Sequence, residues 1–168
     1  MKVKEALQIL KKNKKFTDWS KKHKNFFLVN AFIMTQDSDK INKIQLGYCN
    51  KKEEITSFIV DSKSITQFSD KEIAKFPNSK IIKIDVKNIK IDVIDALKNA
   101  NDYQKAHYPA TVVNKKILIL QNEGKGEFWR ISFMTNSLEV LHFNIDSNSG
   151  ELLMHKKSSL LQFGGNVK

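Results

Sequence analysis

A chain of 168 residues is long enough for one domain or two very small ones. With 40% hydrophobic and 28% charged residues, 11 Phe and 2 Trp, it is too apolar for disorder along its whole length. Its purely apolar runs, such as 26–29 and 117–120, fall far short of the ~20 residues of a membrane helix.

Val3, Ala6, Leu7 and Leu10 recur at helical spacing and predict an amphipathic helix over 3–12. Phe16 and Trp19 leave that stripe, so the helix breaks near Asn13. Thr17 is then placed as N-cap of a second helix, 18–23, with Phe16 as its staple residue. Residues 26–35 are apolar on both faces except at Asn30, the pattern of a buried central strand. A turn at 36–40 leads to strand 41–49, with Ile44, Leu46 and Tyr48 on one face. A charged turn at 51–54 leads to strand 55–61.

Residues 62–91 read as a connector. Within it, 69–72 match a capping box ahead of Ile73 and Phe76, Pro77 stops that turn, and 80–86 look like a short strand. The apolar residues Ile73, Phe76, Ile81 and Ile82, and the lack of a Gly/Ser-rich stretch, place the connector against the body. Asp92 then caps a helix with Val93, Ala96, Leu97, Ala100, Tyr103 and His107 on one stripe, ended by Tyr108 and Pro109. Strand 111–121, a hairpin turn at 122–126 and strand 127–135 follow, with Trp129, Ile131 and Phe133 on one face. Strand 138–145 carries Leu141, Phe143 and Ile145. Residues 146–150 form a tight turn whose Gly150 suits positive φ. Strand 151–156 and a tail with Leu160, Leu161 and Phe163 complete the chain.

The pattern repeats. Glu5-Ala6-Leu7 matches Asp95-Ala96-Leu97 at an offset of 90, Ile44-Gln45-Leu46 matches Ile131-Ser132-Phe133 at 87, and Asp61-Ser62 matches Asp146-Ser147 at 85. The expected fold is α+β: tandem helix-plus-antiparallel-sheet units over 1–61 and 92–168, with 62–91 packed on the body.

Charge is concentrated at one end. The net charge is +11, and residues 1–25 hold nine lysines against Glu5 and Asp18, a net of +7. Lys11, Lys12, Lys14, Lys15, Lys21, Lys22 and Lys24 interleave with Phe16 and Trp19 and are the candidate contacts for a partner or a nucleic acid. Arg130 is the single arginine among 29 basic residues, however, and the bidentate guanidinium is the usual reader of phosphates and bases. Phe16 and Trp19 are expected in the core rather than stacked on bases.

Catalytic signals are weak. Cys49 is the sole cysteine, so no intrachain disulfide forms, and no activating residue adjoins it in sequence. His23, His107, His142 and His155 show no metal-ligand spacing, although His142 and His155 sit on neighbouring strands where they could pair. Gly124-Lys125-Gly126 joins two strands and reads as a hairpin turn rather than a phosphate loop. Asp37, Asp39 and Asp61 are turn residues without the Glu of a calcium loop. No catalytic, metal or cofactor residue is assigned. The N-terminus lacks the apolar stretch of a secretory signal, which predicts a cytoplasmic protein.

Residues 128–156, FWRISFMTNSLEVLHFNIDSNSGELLMHK, carry a resemblance. An aromatic-led strand, a short turn, a second strand and an Ile-Asp-to-Gly-Glu-Leu turn, preceded by a helix, resemble the PepSY module over about 92–156. The first half looks like a degenerate copy without the Asp-to-Gly turn, and the whole chain is loosely similar to small archaeal proteins with two such units. The resemblance implies a cystatin-like fold, binding or restraint of partners, and no catalytic residues or cofactor. The expected function is thus a non-enzymatic binding module. It would contact a protein or peptide through a sheet face, a sheet edge by strand addition, or a groove between the units, without membrane insertion. The alternative is an RNA- or ribosome-associated protein using the lysines of 11–24.

Overall fold

In the computed structural model, the described residues are 1–36, 39–70 and 81–159, with main chain only at Ser69 and Asp70. Helix α1 (Val3–Lys12) buries Val3, Ala6, Leu7 and Leu10, the stripe that its spacing predicts. Helix α2 spans Lys14–Lys22, starting earlier than expected. Its cap is Asn13, not Thr17: the Asn13 side chain accepts from the Lys15 and Phe16 N–H groups at 2.9 and 3.4 Å. Thr17 instead lies inside the helix and donates to the Lys14 carbonyl. The earlier start puts Phe16 and Trp19 three residues apart on one buried face.

The strands are β1 (Phe27–Thr35), β2 (Lys43–Cys49), β3 (Ile55–Asp61), β4 (Ile65–Asp70), β5 (Val113–Asn122), β6 (Glu127–Thr135), β7 (Glu139–Asp146) and β8 (Leu152–Ser159), with helix α3 (Val93–His107) between β4 and β5. They form one eight-stranded antiparallel sheet of order β4-β3-β2-β1-β5-β6-β7-β8. The first half is two helices and the second one helix, each followed by a four-stranded meander, and the first strands of the two meanders, β1 and β5, pair at the centre. That pairing occupies the place where a groove between two separate units was expected. The protein is α+β and mostly sheet.

Two stretches of the presumed connector behave differently. Residues 65–70 extend the first meander as β4, with Ser69 and Asp70 paired to Thr56 and Ile55; the rest of the expected capping box, 71–72, lies outside the described residues. Residues 80–86 are not a strand over the described part. They lead into a 3-10 turn, Val86–Asn88, capped by Asp85. The main chain here is satisfied piecemeal. The Ile84 N–H donates to the Leu28 carbonyl at 2.9 Å, the Asp85 N–H to Glu127 at 2.8 Å, and the Lys90 and Ile91 N–H groups both donate to the Ser147 carbonyl. Ile84 and Ile89 are buried, and Ile81 packs on Val29, Cys49 and Ile55. Ile73, Phe76, Pro77, Leu160, Leu161 and Phe163 lie outside the described residues.

The three helices of the described residues lie on one side of the sheet. Beneath them Trp129, Ile131, Phe133, Leu141, Phe143 and Ile145 share a single buried face, with α3 over β6 and β7. The Trp129 Nε1–H donates to the Ile91 carbonyl at 2.9 Å. Asp92, itself buried, accepts from the Val93 N–H at 2.7 Å and from the Val3 N–H at 2.9 Å, so one carboxylate oxygen caps both α3 and α1. Asn30, the polar residue of β1, sits over Gly47, where a Cβ would come within 2.5 Å of the Asn30 amide oxygen. Glycine makes room there for a polar side chain on the sheet.

Leu138, in the β6–β7 turn, adopts φ +57° and is 51% exposed. A leucine in the left-handed region is strained by about 1 kcal/mol. Leu138→Gly is expected to raise stability by about 0.5–1 kcal/mol, seen as a higher urea midpoint at unchanged slope. A lower midpoint would mean that the exposed side chain stabilises the turn.

Candidate binding surfaces

The lysine-rich segment lies on the helical layer. Lys11, Lys12, Lys14, Lys15, Lys21, Lys22 and Lys24 are all exposed. The aromatics between them are not available to bases. Phe16 packs on Trp19, Tyr48 and Phe58 with ring centroids 5.1–5.7 Å apart, and Trp19 also meets Phe26 at 5.2 Å and stacks on His23 at 4.9 Å. Burial pushes the Tyr48 phenol well above its ordinary pKa. This segment thus offers cations over a closed aromatic core.

The polar candidates are separated by the sheet. His142 points away from the helices, between the hydroxyls of Ser132 and Ser158, each 3.1 Å from a ring nitrogen. Burial, and then the charges of Lys156 and Arg130, hold its pKa below the usual histidine value. Its register partner is Lys156, whereas His155 pairs with Phe143. His155 is therefore on the opposite, helix-covered face, near Tyr103 and 3.3 Å from the Tyr108 hydroxyl. The expected pairing of His142 with His155 does not occur.

Among the described residues no group of three His, Cys, Asp or Glu side chains could hold a metal ion. Cys49 is buried and its thiol donates to the Asn50 carbonyl at 3.2 Å. Asp39 pairs with Lys116 at 2.6 Å and accepts from Asn101, and Asp61 accepts from the Lys63 and Ser64 N–H groups. Asp37 lies outside the described residues. Residues 124–126 turn the β5–β6 hairpin, with both glycines at positive φ. A shallow groove of about 330 Å³ lies at the far end of the second half, beside Val112, Asn136 and the Glu139–Lys157 ion pair. Its polar groups satisfy one another: Glu139 also accepts from the Ser137 hydroxyl.

The sheet's other face carries the surface that the sequence pattern did not reveal. No described helix covers it. Across its centre the register runs Ile59, Gln45, Phe32, Ile119, Arg130, Asn144, Met154. In the next row Met34 pairs with Ile117, followed by Ser132, His142 and Lys156. Phe32, Met34, Ile117 and Ile119 make an apolar block over the β1–β5 seam, with Met34 45% exposed. Ile81 closes only the end of this face formed by Val29, Cys49 and Ile55. The apolar runs 31–34 and 117–120 resemble those of a strand buried on both faces, so the pattern does not tell a face under the described helices from one outside them.

No family model matches the chain, and no curated protein matches it in sequence. Its fold is similar to the crystal structure of a putative lipoprotein from Clostridium difficile 630, with a TM-score of 0.55 and 15% identity over 86% of this chain and 90% of that one. The likeness is one of fold.

Proposed function

We propose that the protein is a non-enzymatic binding module that docks another protein on the face of its sheet that no described helix covers. The observation that carries this reading is the half-exposed apolar block of Phe32, Met34, Ile117 and Ile119 at the centre of that face. Apolar side chains clustered on an uncovered layer mark an interaction site. A tandem PepSY-like architecture accords with this. The three matched sequence segments fall in corresponding places: α1 and α3, β2 and β6, and the turns that open the last hairpin of each half. In those turns Asp61 and Asp146 each accept two N–H groups, from residues two and three positions on. Only the second turn closes on a glycine, Gly150, at φ +82°. We read the halves as copies of one unit, rotated about an axis through the β1–β5 seam.

The test is affinity capture from the native cell with three proteins. Wild type, Met34→Glu, and a variant with Lys11, Lys12, Lys14 and Lys15 replaced by Gln should all fold, since every altered residue is exposed. The expected result is a nuclease-resistant protein partner lost from Met34→Glu and retained by the lysine variant. Retention by Met34→Glu, with loss from the lysine variant or after nuclease treatment, would favour RNA or ribosome association through α1 and α2 and defeat this reading.

A further inference from the structure

The layout of charge around the apolar block points to the chemistry of the partner. Lys43 lies on β2 beside the block, Lys115 on β5 in line with Ile117 and Ile119 at the block's end, and Lys156 on β8, three strands beyond β5. By strand alternation all three share the helix-free face with Arg130. None of the three lysines makes an ion pair among the described residues. Arg130 pairs with Glu123 of the β5–β6 hairpin at 2.9 Å. Among the described side chains of these strands, the carboxylates of this face are Asp61, the register partner of Lys43, and Asp146, both at its rim. Both are engaged by the N–H groups of their own turns, which hold each pKa below the usual carboxylate range. The face thus has an apolar centre, with Lys43 beside it on β2 and Lys115 at its end on β5, and the carboxylate nearest to either, Asp61 opposite Lys43, accepts from the N–H groups of its own turn.

The shape narrows the class further. The block is two strands wide, about 5 Å between strands and about 7 Å along them. A helix about 10 Å across covers two strands. Main-chain groups in the middle of the sheet are taken up by the ladders, so a ligand for this face is recognised through side chains rather than by strand addition. A second copy is disfavoured by its own net charge of +11. We infer that the face takes an acidic amphipathic helix of a partner protein. Its apolar stripe would lie along the β1–β5 seam, with carboxylates reaching Lys43 beside Met34 and Lys115 beyond Ile117 at the same end of the block. This inference rests on the binding reading above and names the partner's chemistry.

The probe is a synthetic helix of about 18 residues, five turns, with Leu at helical spacing and Glu on both flanks. It is compared with the same helix carrying Lys for Glu, and with an acidic peptide of alternating Leu and Glu that favours an extended form. Binding is followed by fluorescence anisotropy at two salt concentrations and located by NMR shift changes. The expected result is binding of the acidic helix, weaker at high salt, with the largest shifts at Phe32, Met34, Ile117 and Ile119, and binding of the Lys helix at least about tenfold weaker. Lys43→Glu with Lys115→Glu should reverse that preference. Equal binding of the two helices, no binding of either, tighter binding of the extended peptide, or shifts confined to β4, β8, α1 or α2 would overturn the inference. If the acidic helix fails while the captured partner is still lost from Met34→Glu, the docking face stands and only its assignment to an acidic helix falls.

Discussion

Trp129→Ala is expected to cost about 3–5 kcal/mol of folding stability. Trp129 is fully buried at the centre of the second meander, between Ile145 on β7 and Leu120 on β5. Truncation removes the largest side chain of the core and leaves a cavity that neighbouring strands, held by their ladders, cannot collapse to fill. It also frees the Ile91 carbonyl, which accepts from the indole N–H at 2.9 Å. Domains of this kind have a total stability of about 5–15 kcal/mol, so the loss is a large fraction of the whole. Trp129→Phe separates the two contributions, keeping most of the apolar volume while losing the hydrogen bond, and should cost about 1–2 kcal/mol. Urea denaturation checks both, with Trp19 as the fluorescence reporter. A loss below about 1 kcal/mol for the alanine variant would contradict the packing described for this face.

Asp92→Ala should rank next, at about 2–3 kcal/mol. A single N-cap is worth about 1 kcal/mol. Here one buried oxygen serves two helices, and its removal leaves the first N–H groups of α1 and α3 unpaired in an apolar environment. Lys2 occupies the position before α1 that Asp92 occupies before α3, and its side chain has no acceptor to offer. The second half thus supplies the cap that the first half lacks. Asp92→Asn retains an acceptor oxygen and should recover more than half of the loss. Hydrogen exchange gives the sharper readout: the N-terminal turns of both helices should lose protection together in Asp92→Ala. Faster exchange in α3 alone would mean that α1 is capped otherwise.

Much of the local structure follows from short-range pattern. The alternation of Trp129, Ile131 and Phe133, and of Leu141, Phe143 and Ile145, assigns those strands and their buried side, because a register error would expose all of them together. Asp92 is recognisable as a cap from its place ahead of an apolar stripe. Thr17 was a plausible cap on the same logic, but Asn13 lies one turn earlier with the same chemistry and lets Phe16 enter the helix and the ring cluster. Strand β4 was obscured because an edge strand with Thr66, Gln67, Ser69 and Asp70 among its six residues has little apolar alternation to show.

What the sequence determined by itself is the order of the three helices and of every strand but β4, the inward face of those strands and the echo between the halves. Each is written in residue spacings of two to four, or in direct matches along the chain. Tertiary structure decided the rest. Only the pairing of β1 with β5, which lie more than 80 residues apart along the chain, turns two meanders into one sheet and removes the groove between them. Only the placement of the three described helices on one side leaves Phe32, Met34, Ile117 and Ile119 without a helical cover among the described residues. A strand covered on both faces and a strand covered on one can carry the same apolar run, because hydrophobic burial has no direction of its own. Which layers meet is chosen by long-range contacts that no local window contains.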